Sequence, residues 1–239
     1  MCTVTFIPQE EGFILTSNRD EAPARAAETL FQEMKNDVLI TYPKDKGAGG
    51  TWIAASSSGQ VVCLLNGAYE KHEHTPPYKR SRGLMVLSFF DYKGVSDFVS
   101  RYDFEGMEPF TFLMAEQDEL WELRWMGAEM SLKQMDEKSE HIWSSATLYD
   151  AKMQEKRNAW FDAWKEKSDY SASSIMDFHL YAGEGNPEID IVMNRNNIVR
   201  SISITQILVA NSLCMSHLNL LDNTVKKISL NLNNEKVCS

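Results

Sequence analysis

Met1-Cys2-Thr3-Val4-Thr5-Phe6-Ile7-Pro8-Gln9-Glu10-Glu11-Gly12-Phe13-Ile14-Leu15-Thr16-Ser17-Asn18-Arg19-Asp20-Glu21 opens the chain as two apolar runs around a polar turn. The first run alternates, with Thr3, Thr5 and Ile7 on one face and Cys2, Val4 and Phe6 on the other, which predicts a strand. Residues 8–12 form a turn, and residues 13–17 return as a second strand that ends in Asn18-Arg19-Asp20-Glu21. An antiparallel hairpin of this length brings its free ends together, so Arg19 and Asp20 are expected beside Cys2. Removal of Met1 by methionine aminopeptidase, which tolerates a small second residue, would make Cys2 the first residue of the mature chain. Its thiol and its free α-amino group would then sit in one residue, and the amine could serve as general base for the sulfur.

The rest of the 239-residue chain reads as more strands with helices between them. Residues 38–42, 51–55 and 60–65 read as strands, and residues 67–82 as a long polar loop that follows Asn66. Helices are predicted over 84–92 and 95–102, and strands over 111–115, 120–125, 130–132 and 141–145. Residues 150–167 carry the clearest helical signal: Met153, Arg157, Trp160 and Trp164 make a stripe that is apolar except for Arg157. A shorter helix over 171–180 precedes strands over 197–209 and 225–232. No repeat, low-complexity tract or linker divides the chain, so residues 1–239 are expected to form one domain. Hairpins interrupted by paired helices predict an α+β sandwich.

Composition narrows the partners. A net charge of −10 argues against nucleic acid or an anionic membrane surface, and no apolar run is long enough to span a bilayer. No basic segment followed by an apolar stretch marks a signal peptide, and cleavage of one would remove Cys2. Cysteines at 2, 63, 214 and 238 show neither CxxC spacing nor disulfide density, which fits a reducing, cytoplasmic compartment. Cys63 is expected in the core. Glu70, His72 and His74 sit in a polar loop with no second cluster, so no metal site and no cofactor are expected. Lys79-Arg80-Ser81-Arg82 reads as a solvated loop or an anion contact. His179 and the Trp160/Trp164 pair read as packing.

The opening segment, with Met-Cys at its head and Asn18-Arg19-Asp20-Glu21 at its end, resembles the NRDE family, whose eukaryotic branch is the transport and Golgi organisation protein 2 group. Gly49-Gly50-Thr51-Trp52, Leu65-Asn66, Ser81-Arg82-Gly83, Ser144-Ser145-Ala146 and Val199-Arg200-Ser201 resemble further family segments, in order, across residues 2–205. The family is similar to N-terminal-nucleophile hydrolases of the choloylglycine hydrolase and penicillin acylase type. The resemblance implies a four-layer αββα sandwich and an N-terminal cysteine hydrolase that cleaves a small amide or related acyl bond through a thioester.

Roles follow on that reading. Arg19 would lower the Cys2 thiol pKa or orient a substrate carboxylate. Asp20 would hold the α-amino group by a charge-assisted hydrogen bond. Asn66, otherwise the turn residue of Asn-Gly, is taken from its match to a family position as an oxyanion donor. Ser145 stands where the family usually has Asn and is a second, shorter donor candidate. Asn18 is a further oxyanion or substrate-contact candidate, although its simplest role, like that of Glu21, is in turn and capping chemistry. Arg200, in a β-branched run, is expected to meet Asp20 or the substrate. The partner is then a small acyl substrate or, in a second reading, a hydrophobic ligand such as haem or lipid held by a non-catalytic carrier.

Overall fold

The computed structural model describes residues 3–27, 29–116 and 118–232. Among these, β1 (Thr3–Pro8) and β2 (Phe13–Glu21) form the expected hairpin, with Val4 opposite Ser17 and Pro8 opposite Phe13. The turn closes through the Gln9 amide on the Gly12 carbonyl, and Gly12 has φ of 77°, a left-handed conformation that favours glycine. The chain continues through β3 (Leu30–Lys35), β4 (Val38–Pro43), β5 (Ile53–Ser56) and β6 (Val61–Asn66). Two seven-residue helices follow, α1 (Arg82–Ser88) and α2 (Val95–Arg101). Next come β7 (Phe110–Glu116), β8 (Glu119–Trp125), β9 (Met130–Met135) and β10 (His141–Ser144). Helices α3 (Ala151–Lys165) and α4 (Ala172–Tyr181) precede β11 (Asn194–Arg195), β12 (Val199–Val209), β13 (Ser212–Asn219) and β14 (Val225–Asn231).

Two seven-stranded antiparallel sheets result. The first has the order β10-β1-β2-β12-β13-β14, with β11 paired to β12, and the second runs β3 to β9 in sequence order. Val4, Phe6, Leu15, Ile53, Cys63, Leu113 and Ile207 pack between the sheets. Ile7 and Ile14, on the other face of the first sheet, pack against Phe161 of α3 and Ile175 and Phe178 of α4. The second sheet is covered by Met85 and Val86 of α1 and Phe98 of α2, among a run of buried aromatic rings. The layers are therefore αββα. Each fully buried large apolar side chain contributes about 1.5–3 kcal/mol, and three such layers of contact hold the stack together.

Local signals account for the helix ends. Asp150 and Ser171 stand just before α3 and α4, and their side chains accept from the amides of Met153 and Ser174. Several strands differ from expectation: β11 was not expected, β5 is shifted to Ile53–Ser56, β9 extends to Met135, and three more have a clear physical reason. Leu30–Lys35 buries only Leu30 fully and leaves Phe31, Gln32, Glu33 and Met34 exposed, so an edge strand lies where no alternation signals one. Ser212–Asn219 buries Leu213, Met215 and His217 in alternation, with a histidine where an apolar residue would have marked the pattern. β12 starts at Val199 rather than at 197, because Asn196 and Asn197 have φ of 55° and 56° and form the turn from β11.

The Gly49-Gly50-Thr51-Trp52 and Ser81-Arg82-Gly83 segments meet here. The Thr51 amide donates to the Gly83 carbonyl at 3.0 Å, and a Cβ on Gly50 would lie 2.4 Å from the Gly83 carbonyl carbon. Two backbones touch at that point, which requires glycine. The contact sets the wall of the cleft described next.

Candidate active site

A cleft of about 420 Å³ lies where the ends of β2 and β6 face the long loop before α1. Its walls include Arg19, Glu21, Asp45, Trp52, Asn66, Arg80, Ser81 and Arg82. Cys2 lies outside the described residues. Cys238, likewise, lies outside them.

Strand alternation divides the four residues at the end of β2 between two faces. Arg19 projects to the cleft side, where its guanidinium carbon lies 3.9 Å from the centroid of the Trp52 ring. It donates to the Asp45 carboxylate and to the Arg25 carbonyl, and Arg25 pairs with the same Asp45 oxygen at 2.7 Å. The other Asp45 oxygen accepts from the amides of Gly47 and Ala48, both at 2.8 Å. Burial pushes the Asp45 carboxyl up, but the Ala48 amide and the two guanidiniums outweigh it and leave it below the usual range. Asp45 is thus a fixed anion that orients Arg19. Its single charge in a Lys-Asp-Lys run carries no sequence signal of that role.

Asp20 faces the helical layer and is fully buried. The Tyr149 hydroxyl donates to one carboxylate oxygen at 2.5 Å, and the Ser201 hydroxyl to the other at 2.5 Å. Burial raises the Asp20 carboxyl above its ordinary value, against the Arg157 charge and these two hydrogen bonds. Tyr149 also carries the Arg157 guanidinium on its ring face, 3.7 Å from the centroid. Arg157 in turn donates to the Thr3 hydroxyl, one peptide bond from Cys2. Tyr149 and Arg157 were not site candidates in the sequence. A lone arginine in the apolar stripe of α3 was the available signal.

Three candidates are used differently from expectation. Arg200 does not contact Asp20: across the β2–β12 pair Ser201 stands opposite Asp20 and Arg200 opposite Glu21, so alternation turns Arg200 to the other face. Its guanidinium donates to the Asn197 side chain at 3.5 Å. Asn18 is committed to α4, with its amide donating to the His179 carbonyl at 3.0 Å and its carbonyl oxygen bonded to His179 Nδ1. His179 Nε2 then meets the Thr5 hydroxyl at 2.7 Å, so Asn18 and His179 clamp helix to sheet rather than face the cleft. Ser145 is fully buried, and its hydroxyl donates to the Asn66 backbone carbonyl at 2.8 Å. That proton anchors Asn66 and is not directed at an oxyanion.

Asn66 ends β6 opposite Phe110 and lines the cleft, where Gly67 turns the chain away with φ of 80°. Glu21 pairs with Arg25 at 2.6 Å and accepts from the Ala22 amide, in keeping with a local structural role. His72 and His74 both turn to Glu108, which also holds Arg82 at 2.8 Å; Arg82 and Arg80 put two more guanidiniums on the cleft wall. Among the described residues no group of three or more His, Cys, Asp or Glu is arranged to hold a metal ion, and no helix is long and apolar enough to cross a membrane.

Several solved structures share this architecture. The N-acylethanolamine-hydrolyzing acid amidase ortholog of Caenorhabditis elegans superposes with a TM-score of 0.59 at 12% identity, covering 86% of this chain and 92% of that one. Penicillin V acylase from Agrobacterium tumefaciens gives 0.55 at 8% identity, covering 95% and 86%. A mutant conjugated bile acid hydrolase from Clostridium perfringens gives 0.58 at 8% identity, covering 95% and 92%. The fold is therefore that of the N-terminal-nucleophile hydrolases. The chain belongs to the Transport and Golgi organisation 2 family, which it matches over residues 1–175. No curated protein matches the sequence.

Proposed function

We propose that this protein is an N-terminal cysteine hydrolase that cleaves a small amide or related acyl bond, working as one domain in a reducing, cytoplasmic compartment. The observation that carries the reading is the convergence of Arg19 and Asn66 on one cleft, with Asp20 near the end of β2 and Thr3 at the start of β1 both buried. After loss of Met1, the α-amino group of Cys2 takes the thiol proton as the sulfur attacks the substrate carbonyl carbon. The Asn66 side-chain amide donates to the oxygen that gains the negative charge. The C–N bond then breaks, the amine leaves with the proton returned from the α-amino group, and a thioester remains on Cys2. Water attacks the thioester by the same route, releasing the acid and restoring the thiol. Arg19, held by Asp45 and Trp52, favours the thiolate or engages a carboxylate of the substrate. Asp20 anchors the α-amino group, and Arg200 is left to the substrate side or to structure.

A carrier of an apolar ligand such as haem or lipid is the competing reading. The cleft walls, rich in guanidinium and carboxylate groups, suit a polar acyl substrate better. Intact-mass analysis of protein purified from cells tests the first requirement. The mechanism demands a chain that begins at Cys2; full retention of Met1 in an active preparation rules it out.

A further inference from the structure

We propose that Arg157 is a positioning residue for the N-terminal nucleophile, fixing Thr3 beside Cys2 and supplying the buried positive charge that keeps Asp20 available to the α-amino group. The inference rests on the reading of Cys2 as nucleophile given above. Arg157 is fully buried, and its Nη1 donates to the Thr3 hydroxyl. Its Nη2 donates to the carbonyls of Ile189 at 2.9 Å and Asp190 at 2.8 Å, and its Nε is buried without a hydrogen bond. Among the described residues no carboxylate pairs with it directly. A buried guanidinium kept only for stability is best served by a direct carboxylate partner, because an uncompensated buried charge is costly. Here the compensation reaches Asp20 through the Tyr149 ring, which stacks on the guanidinium and donates its hydroxyl to Asp20.

Arg157 therefore reaches both parts of the nucleophile's setting: it bonds the side chain of Thr3, the residue after Cys2, and it bears on Asp20, the anion for the amine, through Tyr149. Burial alone would favour a neutral Asp20, and Arg157 is the foremost influence against it. Among the described residues, the charged and titratable groups facing this nest are Asp20, Tyr149, Arg157, Arg195 and His179. An α-ammonium held by ionised Asp20 stabilises the neighbouring thiolate, so loss of the Arg157 charge should raise the pH at which Cys2 becomes reactive.

The test is the pH profile of iodoacetamide labelling at residue 2, read by peptide mapping, with Cys214 in the same molecule as reference. In the wild type, Cys2 should label with a midpoint below that of an ordinary thiol, about 8.5. Arg157→Met should move the midpoint up by about one unit and slow labelling at pH 7 roughly tenfold. Arg157→Lys, which restores the charge, should recover most of the rate. An unchanged profile in Arg157→Met, or an Arg157→Lys variant as slow as the Met variant, overturns the proposal. If Arg157→Met does not fold, Thr3→Val decides, since it keeps the strand and removes only the hydroxyl that Arg157 holds; an upward midpoint supports the proposal and an unmoved one defeats it. A wild-type Cys2 that labels like Cys214 refutes the nucleophile reading and this inference together, whereas a perturbed wild-type profile left intact by the variants defeats the Arg157 role alone.

Discussion

The Ser145 hydroxyl donates to the backbone carbonyl of Asn66 at 2.8 Å, and the oxygen of Ser145 also meets the Thr147 hydroxyl at 3.0 Å. Two sequence segments separated by about eighty residues are thereby tied at the cleft. Gly67 packs against the same loop, since a Cβ there would lie 3.0 Å from a Thr147 methyl and 3.2 Å from the Ala146 Cβ. Ser145→Ala removes the donor and leaves a carbonyl without its partner. It should cost about 1–3 kcal/mol, read as a lower denaturation midpoint with an unchanged m-value.

Asn66→Ala should behave in the opposite way. Its side chain faces the cleft while its backbone serves the strand and Ser145, so truncation spares most of the packing. Turnover should fall on the order of 10²–10³, with only a small change in melting temperature. A collapse in stability with little loss of turnover would reduce Asn66 to a turn residue.

Gly50→Ala tests the backbone contact between the two glycine segments. The new methyl would overlap the carbonyl of Gly83, which cannot move as a flexible side chain can. Overpacking of this kind costs about 1–3 kcal/mol or more, and thermal melting should show it. A variant as stable as the wild type would mean that the cleft wall yields.

Acid should weaken the fold through two buried histidines. Burial, followed by the charge of Arg157, pushes His179 down to about 3, and burial with Arg19 pushes His217 down to about 4, from an ordinary 6.5. Both are neutral when folded, so the unfolded chain takes up protons first as the pH falls. Their contribution is complete above about pH 6.5 and is lost as the pH drops toward 4 and then 3. The loss should approach about 1.4 kcal/mol per pH unit for each. Asp20 opposes part of it, because its raised carboxyl takes up a proton in the native state before the unfolded chain does. Urea melts between pH 7.5 and 4.5 measure the slope, which His179→Gln should reduce by one proton.

The hairpin and the helical stripes were legible because each repeats a backbone period in apolar residues: Val4 and Phe6 on one face of β1, Phe161 with its neighbours along α3. β3 and β13 were not, since one is an exposed edge and the other places His217 in the core. The hairpin alone puts Arg19 and Asp20 near the end of β2. The pairing of Arg19 with Asp45 could not be placed so, because 26 positions separate them and only the packing of the two sheets brings the end of β2 to the loop after β4. Arg200 shows the limit of a charge argument without register. A charge in an apolar strand needs a partner, but only the β2–β12 alignment shows that Ser201, not Arg200, faces Asp20.

Peptide mapping after exposure to a panel of amides and thioesters tests for covalent chemistry at Cys2. Wild-type protein, Cys2→Ala and Cys63→Ala are treated together; Cys63, buried between Val62 and Leu64, serves as the inert control. An acyl adduct on residue 2 in the wild type and in Cys63→Ala, absent from a folded Cys2→Ala, is the predicted result. An adduct on Cys63 in preference to residue 2, or undiminished turnover in Cys2→Ala, would contradict it.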